Sequence, residues 1–472
     1  MSQPLIIQGG MGVAVSNWRL ARSVAQLGQL GVISGTLLAV VFARRLQSGD
    51  LGGHMADAMA HFPIPAMAER VKAAYFVPGG KPAGAPFRAV AMPGVKPSRA
   101  LAELTVVANF VEVHLAKQGH SNPVGINLLE KIQVGTLTSL YGAMLAGVDY
   151  VLMGAGIPRE IPGVLDRFAA GQPAELAIDI VGAAPGAEKT LARLDPAEFF
   201  ENPAPDLRRP QFLAIVSSAT LAMTLAKKST GRVDGFIVEG DVAGGHNAPP
   251  RGPMQLSAEG EPVYGPRDVA DLPKIAAIGL PFWLAGAYAD PTKFAAARTA
   301  GAAGVQIGTA FAFCEESAVR PDLRREVCRL ARTGQARIHT DPLASPTGFP
   351  FKVVQMAETL STAETYAARP RICDLGYLRE PYLRADGSIG YRCAAEPDAD
   401  FVRKQGDPSA LVGRKCLCNG LIATAGLAQV RADGTAEPPI LTAGNDVSQL
   451  ARFLPGEADS YTAADVIRHV LG

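Results

Sequence analysis

The sequence predicts an α/β protein, a (β/α)8 TIM barrel with a large insertion after strand 2 and a C-terminal extension. Two observations carry this. Eight short β-branched or apolar runs, of the kind that become buried parallel strands, occur at Leu5–Gln8, Gly31–Ser34, Val124–Leu128, Tyr150–Met153, Phe212–Val216, Gly235–Glu239, Phe282–Ala285 and Val305–Gly308. Between most of them lie Ala/Leu-rich stretches with helical spacing, among them Trp18–Leu27, Thr136–Ala146, Ala219–Lys228 and Lys293–Thr299, so strand and helix alternate. An open doubly wound sheet is the competing arrangement; the eightfold repeat favours the barrel.

Three segments stand outside the repeat. Residues from about 37 to 120, which include Pro78-Gly79-Gly80-Lys81-Pro82, read as an insertion after the second strand, and residues from about 172 to 210 as a smaller one. The barrel is therefore expected over 1–335, with 336–472 an extension or cap.

Composition narrows the class of function. Over 472 residues, 48% are hydrophobic and 19% charged, with 50 Gly and 36 Pro, which suits a large buried core joined by many tight turns. Lys and Arg number 45 against 44 Asp and Glu, so no net field favours nucleic acid or an anionic membrane surface. A small-molecule substrate is the expected partner, and a homo-oligomer is compatible with everything in the chain. Met1–Ile7 has no basic stretch leading into an apolar one, and the apolar run Gly31–Ala43 is shorter than the roughly 20 residues that span a bilayer, so a cytoplasmic protein outside the membrane is expected.

The first strand ends in Gln8-Gly9-Gly10-Met11-Gly12, where glycines let backbone come close to a flat ligand; a ligand-free tight turn would look the same. Gly10-x-Gly12 has no third glycine at the place the dinucleotide fingerprint requires. The sharpest feature is Glu239-Gly240-Asp241-Val242-Ala243-Gly244-Gly245-His246-Asn247 after the sixth strand. In a barrel this loop lies at the C-terminal face, where an imidazole can work as acid or base. Of the seven His, only His246 has this strand-end, glycine-flanked setting.

Ala285-Gly286-Ala287 and Gly308-Thr309 close the seventh and eighth strands, where this fold commonly cradles a phosphate, so a phosphate-bearing cofactor is expected there. Asn127, at the end of the third strand, could both donate to and accept from a ring edge, or satisfy loop backbone. Ser345–Lys352 reads either as a cap that offers Lys352 to an anion or as a surface loop. Cys373, Cys393, Cys416 and Cys418 include no C-x2-C pair, and are read as free, partly buried thiols in preference to a structural metal site.

The Gln8–Gly12 turn, the Glu239–His246 run, the Ala285-Gly286 turn, and Gly304–Thr309 followed by Glu316-Ser317, in this order, resemble the nitronate monooxygenase family across most of residues 4–320. The resemblance implies an FMN-containing barrel. It makes His246 the catalytic imidazole, places Gly10, Met11 and Asn127 near the isoalloxazine ring with Gly244 and Gly245 beside them, and gives Gly286, Ala287, Gly308 and Thr309 to the FMN phosphate. The family's usual Ala-Gly-Gly turn is here Ala285-Gly286-Ala287, a departure at a position where a positive φ would favour glycine. The activity implied is oxidation of alkyl nitronates or similar stabilised carbanions with O2. The alternative is an FMN enoyl reductase of fatty-acid or polyketide synthesis, or a quinone reductase, with NAD(P)H as reductant. The Pro-rich segment Asn247–Gly252 resembles the larger relatives of that superfamily.

Overall fold

A computed structural model describes residues 3–200 and 205–472. Eight parallel strands form the central sheet: β1 (Ile6–Gln8), β2 (Gly31–Ser34), β3 (Val124–Leu129), β4 (Tyr150–Gly154), β5 (Gln211–Val216), β6 (Gly235–Glu239), β7 (Phe282–Ala285) and β8 (Gly304–Ile307). Each pairs with the next, and β8 returns to β1 with Ile6 opposite Val305. The remaining seam, β1 to β2, is closed by a single bridge, Ile7 to Leu30, in which Gln8 N donates to Leu30 O (2.9 Å) and Leu30 N to Ile6 O (3.1 Å). The sheet is thus a closed (β/α)8 barrel, and all eight sequence-predicted strands are present.

Strand alternation sends one set of side chains inward. Ile7, Val32, Leu152, Leu213, Ile237 and Trp283 fill the barrel, and the Trp283 indole donates to Pro4 O (2.8 Å). The outward set packs on helices. Helix Trp18–Gln26 approaches β2 so closely that a Cβ on Gly31 would stand 1.9 Å from Ala21 O.

The segment after β2 contains the helices Leu38–Gln47, His54–Ala60, Pro65–Tyr75 and Arg99–Lys117. The last is buried along most of its length, because the other three cover it on one side and the barrel on the other. Its Glu112 accepts from Trp18 N (2.9 Å) and pairs with Arg45 (2.6 Å). Between β4 and β5, the hairpin Ala174–Ile178/Thr190–Leu194 interrupts the repeat without separating the two strands, which are direct neighbours.

Beyond residue 335 the chain runs back over the barrel. The hairpin Ile338–Asp341/Phe351–Val354 and helix Leu417–Thr424 lie on its C-terminal mouth, and helix Ala463–Leu471 packs on Trp18–Gln26. Gln429 exchanges hydrogen bonds with Phe87, and Tyr461 donates to Ala310 O (2.6 Å). One continuous apolar cluster runs from Ile6 to Val470. Among the described residues, no helix is long and apolar enough to cross a membrane.

Candidate active site

The C-terminal ends of the eight strands open into a cavity of about 360 Å³, of the size that holds a cofactor or a large substrate. Every residue singled out from sequence lines it: Gly10, Met11, Asn127, Gly244, Gly245, His246, Gly286, Ala287, Gly308 and Thr309.

After β1, the glycine turn is held by Ser16, whose Oγ donates to Gly9 O (3.0 Å) and accepts from Met11 N (2.9 Å). Gln8, buried below it, accepts from Val32 N (2.9 Å) and so ties β1 to β2. Gly10 leaves a surface that a side chain would fill, since a Cβ there would stand 2.6 Å from Asn127 Cβ. Asn127 Nδ2 is 3.5 Å from Gly10 O, at the limit of a hydrogen bond, and its Oδ1 is buried without a partner. Gln306 Oε1, on β8, is likewise buried and unpartnered. Two orphaned amide oxygens at the mouth of one cavity are acceptors prepared for a ligand's N–H or O–H groups. Gln306 lies within the Gly304–Thr309 motif, but nothing in that run distinguishes its side chain from its neighbours as a ligand group.

Beyond β6, His246 Nε2 lies 2.7 Å from Ser345 Oγ, and its ring sits edge-on to Phe351 at 4.8 Å. Backbone pairing fixes the same corner: Asn247 N donates to Pro350 O (2.9 Å) and Lys352 N to Gly245 O (3.0 Å). The tail's hairpin therefore extends the His246 loop as an added strand. Half-buried on the cavity wall, the imidazole loses enough solvation to be held down to about 4 and is neutral near pH 7. Glu239, at the end of β6, is pushed up to about 8 by burial, with the Lys352 ammonium pulling the other way. Lys352, which the sequence could offer to an anion, is itself buried and donates to Thr340 Oγ1 (2.8 Å). The Ser345–Lys352 segment does cap the site, through Ser345, Phe349 and Phe351.

At β7 and β8, Ala287 adopts φ +58°, the left-handed conformation expected of a glycine. Lys293 Nζ donates to Ala287 O (3.1 Å), and Arg452 pairs with Asp290 (3.0 Å) beside it. Thr309 Oγ1 accepts from Gly444 N (2.9 Å), and Gly245 N donates to Thr442 Oγ1 (3.0 Å). Gly244 also serves the tail, since a Cβ there would stand 2.7 Å from the carbonyl carbon of Ala443. The Asp446 carboxyl lies against Thr309 with Oδ1 unpartnered, and burial raises its pKa. This end of the cavity thus has two cations nearby, Lys293 and Arg452, and one carboxyl that burial makes reluctant to ionise. Thr442 and Asp446 stand more than a hundred residues past the last strand, with no local pattern to announce them.

The comparisons with known proteins agree with the motifs. A family model described as nitronate monooxygenase matches residues 205–337, the stretch that holds Glu239–His246, Ala285–Ala287 and Gly304–Thr309. A probable nitronate monooxygenase of Bacillus subtilis (strain 168) is 33% identical over 128 residues, 27% of this chain and 35% of that protein. The match thus spans about a third of the curated relative's length. Among solved structures, nitroalkane oxidase from Streptomyces ansochromogenes aligns over 99% of this chain and 94% of its own at 16% identity with a TM-score of 0.48. FabK from Thermotoga maritima aligns over 100% and 92% at 15% identity with a TM-score of 0.47. The resemblance to nitronate monooxygenases read from the motifs therefore has a counterpart in both sequence comparisons.

Proposed function

We propose that this chain is an FMN-dependent oxidoreductase that oxidises alkyl nitronates or chemically similar stabilised carbanions. The observation that carries the reading is one cavity that combines two orphaned amide acceptors, Asn127 Oδ1 and Gln306 Oε1, with a half-buried neutral imidazole. The residues fit the cofactor. Gly10 and Met11 offer a flat surface beside Asn127; Asn127 and Gln306 would accept from the polar edge of the ring; Gly286, Ala287, Gly308 and Thr309, with Lys293 and Arg452 nearby, would hold the phosphate. When bound, the flavin would supply the redox chemistry, accepting electrons from the substrate and yielding them to O2.

The chain's own residues do the rest. At neutral pH His246 carries no charge, so it can take a proton from an acidic carbon or hydrogen-bond the oxygens of an anionic substrate. Ser345 holds one ring nitrogen and fixes which of the two faces the cavity. Phe349 and Phe351 shield the same corner from water. Glu239, protonated up to about pH 8, can return a proton. Two titratable groups driven apart in this way, a neutral base and a neutral acid, form an acid–base pair that works near pH 7.

The proton on Glu239 also favours a second reading, the NAD(P)H-dependent enoyl or quinone reductase, in which an acid completes the reduction. One experiment separates them: under anaerobic conditions the flavin-loaded protein is mixed with an alkyl nitronate and, separately, with NADPH, and its visible spectrum followed. Bleaching by the nitronate alone supports the oxidase; bleaching by NADPH alone overturns it in favour of the reductase. His246→Asn should lower turnover of the bleaching substrate by about 10²- to 10⁴-fold while FMN stays bound; unchanged turnover removes His246 from the chemistry.

A further inference from the structure

Four of the six cysteines converge on one small buried cavity of about 10 Å³ that the proposed reaction does not use. Cys373 comes from the loop before the hairpin Glu380–Leu383/Ile389–Arg392, Cys393 from its far end, and Cys416 and Cys418 from the start of helix Leu417–Thr424. All are free thiols; three are buried and Cys373 partly so. Buried free cysteines can pack as small apolar side chains, but four from separate chain segments around one cavity are also the donor set of a thiophilic metal.

The Asn419 amide donates to Cys416 Sγ at 3.6 Å, and the guanidinium groups of Arg379 and Arg369 lie near Cys373 and Cys416. Thiolates held by a metal accept from such donors far better than neutral thiols do.

We propose that Cys373, Cys393, Cys416 and Cys418 form one all-sulfur metal centre, for a thiophilic metal bound as a single zinc ion or as an iron–sulfur cluster. Among the described residues no three His, Cys, Asp or Glu side chains are already placed to hold a metal ion, so loading draws the sulfurs inward. A single χ1 change moves a cysteine sulfur by about 3 Å, and loading would draw on that freedom. Loading releases the thiol protons, and the two arginines offset part of the resulting charge.

The centre would brace the active site. Pro346 lines the thiol cavity and follows Ser345, the partner of His246. Leu421 lines the barrel cavity one helical turn beyond Cys418. The site itself does not rest on the flavin reading, and either can fail without the other.

The test is the full chain purified without oxygen or chelator, analysed for zinc, iron and acid-labile sulfide, and then titrated with Co2+. About one zinc per chain, or about two to four irons with equal sulfide, is expected, and lost in the Cys393→Ser/Cys418→Ser double variant but kept in Cys328→Ser. Should the double variant not fold, thiol labelling of the unaltered protein decides: four more cysteines should become reactive once metal is stripped. A protein with none of these metals that also shows no cobalt–thiolate absorption overturns the proposal, as does a disulfide between any two of the four.

Discussion

His246 Nε2 and Ser345 Oγ stand 2.7 Å apart although 99 residues separate them in the chain. The imidazole comes from the barrel, and the hydroxyl that orients it comes from the tail. Arg414 anchors that hydroxyl's loop by donating to Ser345 O (2.5 Å), and Thr347 bonds the hydroxyl itself at 2.8 Å. A catalytic corner built from both parts can be perturbed from either side.

Ser345→Ala removes the hydrogen bond that orients the ring of His246. A neutral hydrogen bond contributes about 1 kcal/mol, so turnover should fall about fivefold with FMN binding unchanged. Steady-state kinetics beside a flavin titration checks this; a loss confined to cofactor binding would mean that Ser345 serves the loop and not the histidine.

The pH profile should have two limbs. His246 ionises at about 4 and Glu239 at about 8, so activity that needs the neutral imidazole and the protonated carboxyl falls below the first value and above the second. Glu239→Gln should lower turnover, and the activity that remains should show the acid limb alone. The sign for stability follows the same shifts. A histidine whose folded value is depressed stabilises the fold fully above its unfolded value, and that contribution is lost as pH falls towards 4. Glu239, raised, favours the fold at low pH and loses that contribution as pH rises through 8. Denaturant titrations of His246→Asn and Glu239→Gln against pH measure each.

Asp446 tests the phosphate end. Its carboxyl, made reluctant to ionise by burial, sits against Thr309, and a phosphate dianion would hold it neutral. Asp446→Asn should therefore tighten FMN binding, with the gain over the unaltered protein growing as pH rises, and leave riboflavin affinity unchanged. Fluorescence-quenching titrations with both flavins read this directly; equal changes for the two would place the phosphate elsewhere.

Ala287 holds φ +58° at the turn after β7. A left-handed non-glycine residue costs roughly 1–2 kcal/mol, so Ala287→Gly should relieve that strain, less the entropy that glycine loses on folding, and stabilise the protein by up to about 1 kcal/mol. Denaturant unfolding measures it. A destabilised variant would show that the alanine methyl makes contacts worth more than the strain.

The barrel was legible because each strand announces itself locally. Runs such as Phe212–Val216 and Gly235–Glu239 are short, apolar and bounded by turn residues, so parallel order needs no long-range knowledge. His246 and the glycine turns were legible for the same reason, standing at strand ends where side chains face the mouth. Thr442 and Asp446 were not: they reach the site only through the path of the tail, which no periodicity encodes. Ser345 and Gln306 stand in segments the sequence does mark, a candidate cap and the end of the eighth strand, but nothing local gives either side chain its role. The four cysteines were visible individually, but their spacing suits no zinc-finger pattern, and only the tail's folding brings them together.

A flavin in the barrel mouth is most directly tested by the chromophore that the purified chain releases on denaturation, identified by mass and counted per chain. The protein should be yellow and release FMN, about one per chain, or take up that amount on incubation with free FMN. A colourless protein that binds no FMN under either condition would contradict the flavin assignment.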